Sequence, residues 1–161
     1  MATYTINEND KGEAVRYLEA IAYVNTQTDV SKAVKVPGWA KYLSLYLFIE
    51  ALAGTTPTVD FSLWVPDIST EAKFKAPTDD NEAKLADFAG ITQVTGAGPY
   101  LQTIDIGPGV TGIADDATGG AAADARMAIN TILPPWLVYK LEFGADADED
   151  YDLQLVAQFR A

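Results

Sequence analysis

The sequence predicts an all-β fold, an antiparallel β-sandwich of jelly-roll-like form with at most one or two short helices, and three observations predict it. Apolar residues recur at every second position in the readable segments, the spacing that turns one face of a strand toward a core and the other away. Clusters of Gly, Pro, Asn and Asp interrupt these segments about every ten residues, as in sandwiches. A chain of 161 residues that is 48% hydrophobic is also large enough for one core without cross-links, since about 70% of its unfolded surface is buried on folding. Residues 1–13 are assigned to an N-terminal arm and residues 14–161 to a single β-sandwich domain.

In chain order, Ala14 to Val24 alternates as a strand, and also sets Val15, Leu18, Ile21 and Ala22 at helical spacing with Asp10 available as an N-cap. Strand and helix both stand for it. Ser31 to Val36 is a strand beyond the polar connection Asn25 to Asp29. Tyr42 to Leu52 is apolar on both faces, with Leu43, Leu45, Leu47 and Ile49 on one and Tyr42, Tyr46 and Phe48 beside Ser44 and Glu50 on the other. Either it is a central strand covered on both sides, or its aromatic face meets a partner. Gly54 and Pro57 then mark a tight connection to Val59 to Val65, whose faces are Val59, Phe61, Leu63 and Val65 against Asp60, Ser62 and Trp64.

Past the acidic loop Ser69 to Asn81, further strands are expected at Asp87 to Thr95 and Tyr100 to Ile106. The alanine-rich stretch Gly120 to Ile132 is compatible with a short helix ended by Pro134-Pro135. Trp136 to Phe143 would turn Leu137, Tyr139, Leu141 and Phe143 inward and Lys140 and Glu142 to water. It reads as a C-terminal hairpin with Tyr151 to Arg160 about the acidic turn Gly144 to Asp150.

The composition excludes much chemistry. The chain has no Cys and no His, so disulfides, cysteine metal sites, Ser-His-Asp and Cys-His mechanisms and the HExxH motif are impossible. Eleven basic against 23 acidic residues, a formal charge of −12, argue against nucleic acid and anionic membranes as partners, because each neutralised phosphate needs a Lys or Arg. The greasiest run, Leu45 to Ile49, ends at Glu50, far short of a membrane span, and no basic residue precedes Lys11. The chain therefore reads as made in the cytoplasm.

Four features invite chemistry. Gly107-Pro108-Gly109-Val110-Thr111-Gly112 spells G-x-G-x-x-G, but Asp115 and Asp116 follow where a phosphate needs positive potential, so a turn is expected. Asp146 to Asp152 alternates carboxylates as a calcium loop does, yet has Tyr151 and Ala157 where that loop has Gly and Glu; a solvated tip is expected. The acids at Asp79, Asp80, Glu82, Asp115 and Asp116 fall in loops and do not suggest the paired carboxylates of a glycosidase. Trp39 and Trp136 sit at strand entrances, where an aromatic caps the core, and Trp64 on an outer face suits an interface better than sugar stacking. No enzyme activity, metal or cofactor is expected.

Val36-Pro37-Gly38-Trp39-Ala40, a long strand, and Gly54-Thr55-Thr56-Pro57-Thr58-Val59-Asp60-Phe61 together resemble the small β-sandwich virion proteins of tailed bacteriophages that are encoded near the major capsid protein. Ile91 to Tyr100, and Ile132-Leu133-Pro134-Pro135-Trp136, agree with that family, and the similarity spans roughly Ala20 to Phe159. The chain departs from the family's pattern at Leu137 to Lys140, which is bulkier, and at the acidic tip. The resemblance implies a non-enzymatic head decoration or cement protein on the capsid exterior of the virion. It would bind the major capsid protein, as a homo-oligomer with a trimer favoured. Tyr42, Tyr46, Phe48 and Trp64 are then the candidate partner-interface residues, and the arm Met1 to Gly12 a segment that adds to a neighbour's sheet edge. A tail or fibre-associated virion protein and a carbohydrate-binding sandwich are the alternatives.

Overall fold

Strands form wherever the alternation runs, and in the computed structural model they stack as two sheets. The structure describes residues 5–9, 12–25, 29–53, 58–66, 82–88, 100–111, 124–144 and 150–161. Among these are ten strands: β1 (Thr5–Asn9), β2 (Glu13–Asn25), β3 (Val30–Lys35), β4 (Tyr42–Ala53), β5 (Val59–Pro66), β6 (Glu82–Phe88), β7 (Tyr100–Ile106), β8 (Asp124–Ile129), β9 (Trp136–Phe143) and β10 (Asp150–Arg160). One sheet has the order β1-β2-β10-β4-β7-β8 and the other β3-β9-β5-β6. Without β1 and β8 this is the eight-stranded jelly roll of two four-stranded sheets. The all-β sandwich expected from the alternation is therefore the fold.

The core lies between the sheets. From the larger sheet come Leu43, Leu45, Leu47 and Ile49 of β4, Ile104 and Ile106 of β7, and Tyr151, Leu153, Leu155, Ala157 and Phe159 of β10. Val59, Phe61 and Leu63 of β5 and Leu137, Tyr139 and Leu141 of β9 meet them, and none of these side chains is more than 3% exposed. Each large apolar side chain so buried contributes about 1.5–3 kcal/mol before conformational entropy is counted. A void of about 10 Å³ lined by Leu43, Leu45, Leu63, Leu137 and Phe159 lies in this layer. It is apolar and hardly large enough for one water, so it is not a ligand site.

Several local expectations are corrected. β9 and β10 are not a hairpin: β9 pairs with β3 and β5, and β10 with β2 and β4 in the opposite sheet. Alternation dictates which face of each strand is inward, but it is the same for a turn within a sheet and for an arch between sheets. The end of the alanine-rich stretch is the strand β8, added parallel to β7, so the larger sheet is not wholly antiparallel. β8 gains its ladder from β7 and packs Met127 and Ile129 on the core; tertiary pairing there overrides helix propensity. Of the strand expected at Asp87 to Thr95 only Asp87 and Phe88 are described, as the end of β6, and residues 89–99 fall outside those described. β1 pairs with β2 of its own chain through Gly12, whose φ is 76°.

β2 is a strand despite its helical spacing. Its ladder with β10 carries two irregularities: Leu155 and Val156 face Glu19 and Tyr17, while Tyr151 and Leu153 face Val24 and Ile21. Each inserts one residue into β2, so the residues opposite the inward side chains of β10 step by three at Arg16 to Glu19 and at Ile21 to Val24. Of the residues at helical spacing only Ile21 falls at such a step, and pairing with β10 along the whole segment holds it as a strand.

The G-x-G-x-x-G segment opens as a turn. Val110 N donates to Gly107 O at 3.3 Å, Pro108 and Gly109 occupy the corner, and Gly109 has φ 73°, the arrangement of a type II turn. Asn130 Oδ1 accepts from Gly109 N at 2.8 Å, and Gly112 lies outside the described residues. A Cβ on Gly107 would stand 2.3 Å from Cδ1 of the Tyr42 ring and 3.2 Å from Lys41 O. Gly107→Ala is therefore expected to displace Tyr42 and cost about 1–3 kcal/mol in urea unfolding, with Tyr42→Ala recovering part of the loss in the double variant.

Candidate interaction surfaces

On the outer face of the larger sheet, β2, β10, β4 and β7 lie side by side, and their register sets rows across them. Tyr17, Val156, Tyr46 and Thr103 form one row, and Gln154, Phe48 and Leu101 belong to the next. Phe48 is 39% and Tyr17 40% exposed. Tyr46 and Phe48 stack with ring centroids 6.4 Å apart, and the Tyr46 hydroxyl donates to Gln158 Oε1 at 3.2 Å. Toward one end the apolar rows give way to polar contacts. Ser44 donates to the Asp105 carboxylate, Arg160 Nη2 donates to Ser44 Oγ at 3.0 Å, and the Gln158 amide donates to Glu13. Toward the other end stand Asp152, half-buried, and Glu50, exposed.

Trp64 is on the opposite side of the molecule. It lies half-buried on the outer face of the smaller sheet among the buried Ser62, Val138 and Lys140, where its Nε1 donates to Ser62 Oγ at 2.8 Å and the Lys140 ammonium lies 4.4 Å from its ring centroid. Lys140, expected in water, is 8% exposed; the indole and sheet cover its aliphatic stem, and a cation over an indole is stabilised by about 0.5–2 kcal/mol. Lys35 stands 5.9 Å from the Trp136 ring centroid on the cross-strand neighbour. Trp39 does not cap the core: it is 39% exposed, next to the turn at Gly12. The structure thus brings Tyr42, Tyr46 and Phe48 onto one strand and one face, and holds Trp64 apart by the thickness of the sandwich.

A polar cluster closes the side of the core between β2 and β3. The first irregularity of β2 turns Glu19 inward, where it is 6% exposed and accepts from the Tyr139 hydroxyl and the Lys32 ammonium of β3. Arg16 Nη1 crosses to Lys35 O at 2.8 Å with its guanidinium 5.0 Å from the Phe159 ring centroid. Burial, then the hydrogen bond to Glu19 and then its negative charge, push the Tyr139 phenol far above its ordinary value. The geometry braces two sheets. Among the described residues no group of three or more acidic side chains is placed to hold a metal. Asp79, Asp80, Asp115, Asp116 and most of the acidic tip, residues 146–149, lie outside them.

Neither a family model, nor a curated protein, nor a solved structure matches the chain. The surfaces are therefore read from their own chemistry. Sequence reasoning missed Tyr17, because its place beside Val156 depends on the irregular ladder of β2. It also missed Glu19, whose inward turn has the same cause.

The Glu19 cluster makes a prediction with a definite sign. A phenol with a folded pKa above its unfolded value near 10 stabilises the fold fully below that pH and progressively less as pH rises beyond it. Tyr139→Phe is expected to cost about 1–3 kcal/mol at neutral pH, because it leaves a buried carboxylate short of a donor. It should also flatten the loss of stability above pH ~10 relative to the unsubstituted chain, as read by urea midpoints across pH.

Proposed function

We propose that this is a non-enzymatic structural protein of a tailed-bacteriophage virion, of the head decoration type, which binds the major capsid protein on the shell exterior as a homo-oligomer. The observation that carries the reading is the pair of outer sheet faces, one bearing Tyr42, Tyr46 and Phe48 and the other Trp64. A decoration protein needs two kinds of contact, with the shell and with its own copies, and two opposed aromatic faces on a rigid sandwich provide for both. The acidic balance of −12 keeps such a protein soluble before assembly and favours a basic surface on the shell. The cation over Trp64 favours this reading over a sugar-binding one, since it occupies a ring face on which a sugar would stack.

The test is co-sedimentation of the purified chain with heads of the phage that encodes it, stripped of their outer proteins. Saturable binding that shifts shell opening to higher temperature is expected. Protein that stays in the supernatant while located in tails by electron microscopy would replace this reading with the fibre-associated one. Glycan binding abolished by Trp64→Ala would replace it with a carbohydrate module.

A further inference from the structure

We infer that the outer face of the six-stranded sheet is a self-complementary surface on which a second copy of this chain packs face to face about a two-fold axis. The argument is the order of groups along the two central strands. On β10, Val156 stands midway between Asp152 and Arg160; on β4, its cross-strand neighbour Tyr46 stands midway between Glu50 and Tyr42. The centre of the face is apolar, with Val156, Tyr46, Phe48 and Tyr17. One end carries the carboxylates of Asp152 and Glu50, and the other carries the Arg160 guanidinium and the Tyr42 phenol beside the Glu13 and Asp105 carboxylates, which already accept from Gln158 and Ser44.

A two-fold axis through Val156 and Tyr46, lying in the interface and perpendicular to the strands, reverses one face upon the other. It sets Arg160 of each copy opposite Asp152 of its mate, and Tyr42 opposite Glu50. The guanidinium meets a carboxylate and the phenol donates to one, while the row of Tyr17, Val156 and Tyr46 covers its own copy and Phe48 lies over the row of Ser44 and Gln158. Rotation about an axis parallel to the strands would set carboxylates against carboxylates in a chain of charge −12, so charge selects the antiparallel arrangement. Sheets packing this way sit about 10 Å apart with strands inclined by about 30°, within reach of long side chains such as Arg. Phe48 and Tyr17, left 39% and 40% exposed in the single chain, are then covered. The inference does not depend on the capsid reading, which concerns what the assembled copies bind.

Sedimentation velocity of the whole chain over a range of concentrations tests it. A monomer–dimer equilibrium is expected. Phe48→Glu should weaken it at least about 100-fold, as loss of a central aromatic anchor does. Asp152→Arg and Arg160→Asp should each weaken it about ten-fold, and the two together in one chain should restore it, because a two-fold pairs each reversed charge with its new opposite. Asp152→Arg keeps the test informative if Arg160→Asp, which also loses its bond to Ser44, unfolds the chain. A monomer at every concentration, a trimer, a dimer indifferent to Phe48→Glu, or a charge exchange that fails to restore association would overturn the inference.

Discussion

The inward row of β10, Tyr151, Leu153, Leu155, Ala157 and Phe159, is the constraint around which the molecule is organised. The row is fully buried, and hydrogen bonding alone cannot bury it, because the strands that share ladders with β10, β2 and β4, lie in its own sheet. The cover has to come from β5 and β9 across the gap. That requirement makes the connection from β9 to β10 an arch, although the sequence between them has the composition of a hairpin turn. It also makes the ends of the apolar layer vulnerable, and between β2 and β3 the layer is sealed by Glu19, Tyr139 and Lys32. A buried carboxylate is an expensive seal unless its oxygens are satisfied. Here a phenol from one strand of the smaller sheet and an ammonium from another satisfy it, and so tie the two sheets together.

Much of this was legible in the residues and some was not, for identifiable reasons. Strands such as Val59–Pro66 and Asp150–Arg160 declare themselves because one side chain in two is apolar and the ladder keeps that count. Glu13–Asn25 obscures itself because two inserted residues break the count, so its inward positions step by three at Arg16 to Glu19 and at Ile21 to Val24. Asp124–Ile129 is opaque because its ladder comes wholly from a distant neighbour, and the alanines around it are good helix formers. Sheet membership has no local signal at all, since an arch and a hairpin can have the same turn residues.

The candidate surfaces divide in the same way. That Tyr42, Tyr46 and Phe48 share a face follows from the period of a strand and was readable directly. That Trp64 looks the other way follows from β5 belonging to the second sheet, which only the topology reveals. The separation changes what the aromatics can do. On the function proposed above, a single patch would serve one contact, whereas two opposed faces would let one molecule link different neighbours, with the sandwich as a spacer.

The place of β10 in the ladder order has a consequence for biosynthesis. Glu13 at the start of β2 is bonded to Gln158, 145 residues later in the chain. β4 ends at Ala53 and β10 begins at Asp150, 97 residues later, so at ribosomal speeds of about 5–20 residues per second β2 and β4 are both made about 5–20 s before β10 can fill the slot between them. The nascent chain must therefore keep its greasiest strands apart through that interval, and the surplus of carboxylates that hinders contact between copies serves as protection before there is any fold to protect.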